Sequence, residues 1–433
     1  MNKLALHWQI LIAILLAGCA GWAVNYAGHG DPSAPGLFGV SFLSVFDYIG
    51  KMFLNALKMI IVPLILSSII VGMAGIGSSG NLGKLGGRTL LFYVSTGLAA
   101  TLLGIILINL VSPGIVDGQP AGDLLALHAS SEDIAARVGD RDAGDVADLF
   151  LRMIPENVVQ AAAEGQMLGL IFFALLFGYF MTRIGHELAD VLYKFWDGVF
   201  NVMMRMTEWI MLFAPIGVFG LVAGVVAETG FKAVEPLVIF ALTVLAGLVI
   251  HTFIVMPLFL GVFGRVRPWG IYPAMAPAML TAFSTASSSA TLPVTMECIE
   301  KNAGVSNKIS SFVLPLGATV NMNGTALYEC AAAIFLAQAY GLDLSFGTQF
   351  SVVFMALLTS IGVAGVPAAS LVAIAVILTA IGLPLEALGV LLVFDRVLDM
   401  ARTSVNIFGD GVCAVIVARM DGEQTRLQPL RAT

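Results

Sequence analysis

Long apolar segments are the feature of this sequence that most restricts its fold. A helix needs about 20 residues to cross the hydrocarbon core of a bilayer. Segments of roughly that length or more lie near 7–27, 43–76, 88–113, 148–182, 193–227 and 236–263. Only 11% of the 433 residues are charged, whereas soluble proteins carry roughly 25% charged residues. The sequence therefore predicts an all-α membrane protein in contact with the lipid bilayer.

The positions of Lys and Arg predict how these segments are oriented, because short cytoplasmic loops are enriched in both residues. Cations precede the first segment, separate the second from the third and the fourth from the fifth, and follow the sixth (Lys3, Lys84, Arg88, Arg183, Lys194, Arg265 and Arg267). The alternate loops hold few cations, and the net charge of −7 comes largely from the acidic stretch 117–148. We therefore expect a cytoplasmic N-terminus, and the charge indicates no nucleic-acid partner.

Two later segments are too polar or too interrupted to cross a membrane once. The segment 268–296 has cations on both flanks and STASSSATLP in its middle, so we expect it to enter and leave by the cytoplasmic face. The segment 347–378 is interrupted at Ser360–Ser370. Because Arg419 follows the last apolar segment, 385–418, and places the C-terminus in the cytoplasm, 347–378 is expected to enter and leave by the outer face. The result is eight crossings and two re-entrant helical hairpins.

These hairpins give the C-terminal half of the chain a predicted inverted repeat. Residues 268–339 and 347–418 each consist of a hairpin followed by a crossing segment, and the two hairpins enter from opposite faces. Transporters place their substrate and ion sites where the interrupted segments of such repeats meet. Non-helical backbone at membrane depth is tolerated only inside protein or beside water.

The last apolar segment carries a stripe of polar and charged side chains. At 100° per residue the stripe is roughly 100° wide, and it consists of Asp395, Asp399, Arg402, Thr403, Asn406 and Asp410. Insertion of an Asp or Arg at a helix centre costs roughly 2.5–3.5 kcal/mol, so the stripe predicts an interior polar site. Ion pairs of Asp395 or Asp399 with Arg402 that only hold the helix in place are the alternative. Arg396 points away from the stripe and is interpreted as a packing or interface residue.

A helix break is predicted in the preceding crossing segment. The run Gly317–Glu329 contains NMNG, and Asn and Gly favour caps and turns over helix interiors. An unwound helix exposes carbonyl oxygens, and Asn321 and Asp410 add side-chain oxygens. Oxygen ligands of this kind suit a hard cation.

The runs SSSATLP, NMNGTALYE, SIGVAGVP and DMARTSVNIFGD, in this order, resemble the dicarboxylate/amino acid:cation symporters, which include glutamate transporters. The similarity covers nearly the whole chain. It implies a homotrimer in a bacterial-type cytoplasmic (inner) membrane, with a fixed scaffold and a mobile transport domain that moves like an elevator. The scaffold would comprise helices in 1–84 and 148–230. The transport domain would comprise the third helix in 85–147, the sixth helix in 231–265 and the core 266–418. The region 85–147 would also contain the acidic outer loop, and 419–433 would form a cytoplasmic tail.

The resemblance also implies the substrate-binding residues. Arg402 would bind the side-chain carboxylate of the substrate and Asp399 its α-ammonium. The remaining contacts would come from Ser287, Ser288, Thr325, Val366, Thr403 and Asn406. Guanidinium binds carboxylate through two parallel hydrogen bonds, so the expected substrate is the acidic amino acid aspartate or glutamate.

Two sodium sites are implied in the same way. The first would use Gly317, Asn321, Asn406 and Asp410, and the second Thr319, Ser360, Ile361 and Val363. A third site would use Tyr93, Thr96, Gly97, Asn321 and Asn323. There the sequence departs from the usual NMDGT motif, because Asn323 replaces a carboxylate and Gly97 replaces a hydroxyl residue. A neutral amide loses the Coulomb attraction to Na⁺, so the third site is in question.

Glu329 matches the position that carries a proton in the proton-coupled relatives. Desolvation favours the neutral form of a carboxyl group, which suits reversible protonation. A glutamate that is satisfied by a bond to a neighbouring helix is the alternative. Co-transported Na⁺, H⁺ or both are the only implied ions, and no further cofactor is expected.

Other functions fit the residues less well. No GxSxG motif surrounds Ser287–Ser289, so an intramembrane serine hydrolase, and an enzyme in general, is not expected. The chain lacks the GxxxxGK[ST] motif that ATP-driven pumping would need. A C4-dicarboxylate or neutral amino acid symporter, and a passive channel or receptor on the same fold, remain the alternatives.

Overall fold

The computed structural model describes residues 6–28, 31, 33, 36–78, 85–127, 151, 154–164, 166–362 and 369–427. Its N-terminal helices are α1 (Leu6–Ala27), α2 (Phe42–Ser78), α3 (Gly87–Val111), α4 (Val158–Glu164), α5 (Met167–Met181), α6 (His186–Met211) and α7 (Ala214–Thr229). The strands β1 (Gly36–Leu37) and β2 (Val40–Ser41), and β3 (Ile115–Val116) and β4 (Gln119–Pro120), form two short antiparallel hairpins.

The C-terminal half of the described chain is also helical. α8 (Val234–Ile250) continues through two π-helical turns, His251–Val255 and Leu260–Gly264, that flank α9 (Met256–Phe259). It is followed by α10 (Ile271–Thr285), α11 (Ser288–Glu297), α12 (Asn307–Val320), α13 (Asn323–Ala339), α14 (Phe346–Gly362), α15 (Ala369–Ile381) and α16 (Leu388–Met420).

Several helices have the length and apolarity to cross a membrane. Five such spans are found among the described residues, namely Trp8–Ala27, Gly87–Val111, Ala214–Lys232, Val234–Gly264 and Leu385–Met420. Shorter apolar helices cover Val62–Ala74, Gly169–Met181 and Phe346–Ser360. The all-α membrane class is in agreement with the prediction, while the number of crossings remains a prediction.

Two predicted segments are not continuous helices. The segment 193–227 is divided at Leu212 and Phe213, because Pro215 has no N–H to donate to the carbonyl group four residues earlier. Within 148–182 the described part contains the separate helices α4 and α5, and Gln166 is the N-cap residue of the second one. Each of these predicted apolar segments is therefore divided into separate helices.

Each predicted hairpin corresponds to a pair of packed helices. α10 and α11 are joined at Ala286, which has a φ of +50°, and at Ser287, whose hydroxyl caps α11 by accepting a hydrogen bond from the Ala290 N–H at 3.2 Å. α14 and α15 also pack against each other, and residues 363–368 between them lie outside the described part of the chain. The entry of each hairpin from one membrane face remains a prediction.

Helix α16 lies at the centre of the packing. Its residues contribute to all three hydrophobic clusters, for example Leu398 to the first, Phe408 to the second and Leu392 to the third. α10, α12 and α13 pack along it, while α1 packs mainly on α7, and α2 packs on α5, α6 and α7. The polar stripe of α16 is therefore surrounded by protein.

The segment that follows α16 connects the ends of several helices. The backbone N–H of Arg426 donates to the Ala303 carbonyl at 2.8 Å, and the Glu423 carboxylate accepts from the Ser306 N–H at 3.0 Å, at the start of α12. Gly304 lies directly under this segment with a φ of +78°, and a Cβ added to it would lie 2.9 Å from the Arg426 nitrogen. The close approach of these two segments of the chain therefore requires glycine at position 304.

We expect Gly304→Ala to destabilise the protein by about 1–2 kcal/mol from the left-handed backbone alone, with a further cost from displacement of Arg426. The measurement is the Tm of the purified protein in detergent. Gly87→Ala is the matched control, because a Cβ there meets no atom within 4 Å. Equal Tm values for the two variants would contradict the proposed contact.

Candidate functional site

Arg402 is the charged centre of the polar stripe on α16. Its side chain is 0% exposed, and its Nη2 donates to the Oδ1 atoms of Asp395 at 3.0 Å and Asp399 at 3.1 Å. Its Cζ lies 3.8 Å from the centre of the Tyr328 ring of α13, a cation–π contact. Its Nε and Nη1 groups have no hydrogen-bond partner among the described residues. The ion pairs of the alternative interpretation are thus present, but they use only part of the guanidinium.

Arg396 lies on the other side of the same carboxylates. Its Nη1 is 3.6 Å from Asp399 Oδ2, and the side chain is almost fully buried. It lines a small cavity beside apolar residues of α1, α2 and α7, among them Ile10, Phe53 and Val218. Arg396 is therefore an interface residue, as the sequence predicts. Two carboxylates and two guanidinium groups balance one another in this cluster.

Asn406, one turn after Arg402, connects α16 to the start of α13. Its Oδ1 accepts the Gly324 N–H at 2.8 Å, and its Nδ2 donates to Thr325 Oγ1 at 3.1 Å. A Cβ on Gly324 would lie 2.8 Å from the carbonyl oxygen of Arg402, so only glycine allows the two helices to approach this closely. The start of α13 is therefore held directly beside the charged cluster.

The helix break predicted from NMNG lies between α12, which ends at Val320, and α13, which begins at Asn323. The Asn321 side chain donates to Asp410 Oδ1 at 2.9 Å, and Thr96 of α3 donates to Asn321 Oδ1 at 3.4 Å. Asp410 is 1% exposed, and this amide is its hydrogen-bond partner within the described chain. A buried carboxylate with one neutral partner is stabilised either by a proton or by a nearby positive charge. The oxygen donors of Asp410 and Asn321 fit a hard monovalent cation.

The predicted third cation site is assembled differently. The Tyr93 hydroxyl donates to the Val313 carbonyl at 2.6 Å, and the Thr96 hydroxyl donates to the Phe92 carbonyl at 2.8 Å. The side chain of Asn323 is buried, and neither its Oδ1 nor its Nδ2 has a partner among the described residues. The predicted residues therefore come together without a carboxylate on the Asn323 side.

Glu329 faces the first helix of the second hairpin. Its side chain is 0% exposed, and its Oε2 accepts the hydroxyl of Thr359 in α14 at 2.8 Å. Its Oε1 has no partner in the described part of the chain. The bond to a neighbouring helix, which the alternative interpretation requires, is present for one oxygen only.

The remaining predicted hydroxyl residues mainly bond to the backbone. Thr403 donates to the Asp399 carbonyl at 2.8 Å, Thr319 to the Leu316 carbonyl at 3.0 Å, and Ser360 to the Leu357 carbonyl at 2.9 Å. Ser288 is buried at the start of α11. Ile361 lies in α14. Gly317 lies in α12, and its carbonyl accepts the Asn321 N–H. Val363 and Val366 lie outside the described residues.

Sequence reasoning missed two residues of this site. Tyr328 forms the aromatic face under Arg402, and Thr359 is the partner of Glu329. The sequence signal available for Tyr328 was its place in the run NMNGTALYE, directly before Glu329. Nothing in the sequence pattern pairs Thr359 with α13, because that contact depends on how α14 packs.

Comparisons with known proteins find similar sequences along nearly the whole chain. The profile of the sodium:dicarboxylate symporter family matches residues 6–420. The chain is 33% identical to the proton/sodium-glutamate symport protein of Geobacillus stearothermophilus over 98% of this chain and 96% of the relative. It is 33% identical to the proton/glutamate-aspartate symporter of Escherichia coli (strain K12), over 99% and 95%. It is 35% identical to excitatory amino acid transporter 3 of Mus musculus, over 96% and 86%.

We expect Asn406→Ala to destabilise the protein by about 1–3 kcal/mol, because it leaves the buried Gly324 N–H without its acceptor. The measurement is again Tm in detergent. The control is Asn109→Ala, which removes an exposed amide near the C-terminal end of α3 that donates to the Ile105 carbonyl and to Gln349. An equal loss for both variants would show that the amide does not hold α13 against α16.

Proposed function

Because the chain belongs to the sodium:dicarboxylate symporter family, we propose that this membrane-embedded protein is a secondary transporter that takes up acidic amino acids together with Na⁺, H⁺ or both. The observation that carries the proposal is the fully buried guanidinium of Arg402, whose Nε and Nη1 groups have no hydrogen-bond partner among the described residues. Two free N–H donors on a planar group are what a carboxylate binds. The polar Thr325 and Asn406 lie next to it.

The individual groups of the site are complementary to the groups of an acidic amino acid. An acidic amino acid has two carboxylates and one ammonium, so one carboxylate can pair with Arg402 and the ammonium with Asp399. The α-carboxylate then meets the hydroxyl and amide donors of Ser288, Thr325 and Asn406. Every charge of the substrate finds an opposite charge or a donor, which a buried site requires.

The coupling ions are proposed at two places. A sodium ion would bind at Asp410 and Asn321 with the backbone of the break, and a second beside Thr319 and the end of α14. Glu329 would carry the proton, because its buried carboxyl group has one oxygen bonded to Thr359 and another without a described partner.

The movement and assembly are proposed by similarity to the family. α1, α2, α6 and α7 would form the fixed scaffold, and α3 with α8–α16 the domain that moves between the membrane faces. α2 and α6 present an apolar groove that includes Met59, Val202 and Trp209, where another copy of a homotrimer would pack. The inner membrane, with both termini in the cytoplasm, is the proposed location.

A C4-dicarboxylate is the second candidate substrate, and one observation favours it. Asp399 lies between Arg402 and Arg396, so its charge is balanced without a substrate ammonium. Asp399 therefore does not need a substrate ammonium, and a C4-dicarboxylate such as succinate has none. Uptake of radiolabelled aspartate and succinate in proteoliposomes, with sodium and proton gradients imposed separately, distinguishes the two substrates.

We expect removal of Arg402 to lower aspartate and glutamate uptake by about 100-fold or more, since loss of a buried charged partner costs about 2–5 kcal/mol. Arg402→Ala alone leaves Asp395 and Asp399 without balance, so Arg402→Ala/Asp395→Asn is tested beside it. Folding is checked by gel filtration, and Arg205→Ala, at an 84% exposed side chain, is the control. Unchanged aspartate uptake in both Arg402 variants would refute the assignment.

We expect uptake by the unaltered chain to fall as the external pH rises, because a proton must be bound before the loaded carrier moves. Glu329→Gln keeps an acceptor for Thr359 but cannot bind a proton, so its uptake should be independent of pH. The measurement is initial uptake rate against pH at fixed sodium. Glu208→Gln, on the exposed face of α6, should retain the pH profile. A pH profile that persists in Glu329→Gln would eliminate the proposed proton carrier.

A further inference from the structure

Asn323 is a buried polar side chain that the arrangement of the site leaves unexplained. It is 1% exposed, and both amide atoms lack a partner among the described residues. An amide has two donors and an acceptor, and leaving a buried group unpaired costs about 1–3 kcal/mol. An unpaired amide inside a polar cluster therefore indicates a position that a small polar molecule or ion fills.

Two glycines on neighbouring helices border this amide. A Cβ added to Gly97 of α3 would lie 3.6 Å from Asn323 Oδ1, and a Cβ added to Gly409 of α16 would lie 2.9 Å from Asn323 Nδ2. The same Cβ on Gly97 would lie 3.2 Å from Leu357 Cδ2, so glycine at this position lets both Leu357 and Asn323 approach α3. A serine at 97 would bring a hydroxyl group within hydrogen-bond distance of the residue at 323.

The charges around the helix break decide what can fill this position. Asp410 is the carboxylate of the break, and it accepts a hydrogen bond from Asn321. The groups on the Asn323 side are an amide and hydroxyls, and the Tyr93 and Thr96 hydroxyls already donate to backbone carbonyls. A desolvated cation is stabilised by an opposite charge or by converging carbonyl oxygens. Among the described residues of the break the carboxylate is that of Asp410, and Asn323 supplies only an amide, so of these two positions the cation belongs at Asp410.

We propose that the Gly97–Asn323 pair makes this position a neutral site, filled by water rather than by a metal cation. The chain consequently moves about one sodium ion fewer per substrate than the same fold with a hydroxyl at 97 and a carboxylate at 323. This inference rests on the proposed symport function. It identifies Asn323 and Gly97 as the residues that set the ion count of the reaction.

The test compares the purified full-length chain with Gly97→Ser/Asn323→Asp, which supplies the missing hydroxyl and charge. The readout is the slope of log substrate affinity against log sodium concentration in detergent, and the ratio of ²²Na⁺ to labelled aspartate taken up by proteoliposomes. Both quantities should rise by about one ion in the double variant, because each added coupled site adds one to the slope. Equal values in the two proteins would overturn the proposal. The control is Asn109→Asp, which adds the same charge near the C-terminal end of α3. It should leave both quantities unchanged.

A second variant keeps the proposal testable if the double variant does not fold. Asn323→Ala removes the amide, so it lowers the sodium slope if Asn323 binds a cation and leaves the slope unchanged if the position is neutral. We expect no change, and a slope lower by about one would overturn the proposal. If the unaltered chain takes up no labelled aspartate or glutamate, the proposed function fails instead. The ²²Na⁺ binding ratio of the solubilised proteins then still decides the neutral site.

Discussion

The burial of a charged cluster inside an apolar chain is the constraint on which the rest of this structure depends. A guanidinium and its carboxylates lose the solvation of water when they enter a membrane protein, and only well-placed partners compensate for this loss. Arg402 has Asp395, Asp399 and the ring of Tyr328 around it. The contact with Tyr328 requires α13 to lie against α16, and Gly324 allows the two backbones to approach. The packing of α13 on α16 thus meets a polar requirement as well as an apolar one.

The same requirement explains why most of α16 is enclosed by other helices. The sequence assigns its polar stripe to the protein interior and leaves its apolar face open to lipid or helix contact. Leu398, Val405 and Phe408 of that face are all buried. Because the stripe must avoid lipid, the helix lies deep among α10, α12 and α13, and its apolar face then packs on helices as well.

Sequence reasoning succeeded where a local pattern carries the physical cause. The serine run predicts the turn at Ala286 and Ser287, and NMNG predicts the break after Val320, because Ser, Asn and Gly favour caps and turns. It failed where the cause is a single residue inside an apolar run, as with Pro215. It also failed where the partner comes from another helix, as with Tyr328 and Thr359. No periodicity along one segment indicates which side chain of a neighbouring helix will face it.

The spacing along α16 links the charged cluster to the helix break. Arg402, Asn406 and Asp410 follow one another at intervals of about one helical turn, so all three face the same group of helices. Arg402 contacts Tyr328, Asn406 bonds to the first turn of α13, and Asp410 bonds to Asn321 in the break itself. The three contacts therefore hold one short stretch of chain, 321–328, against one face of a rigid helix. In the proposed mechanism, a cation at Asp410 would act on Asn321 and, through the first turn of α13, on Thr325 and Tyr328. Coupling between an ion and a substrate needs such a shared element with a free energy that depends on both ligands, and this stretch is the element that both proposed sites would contact.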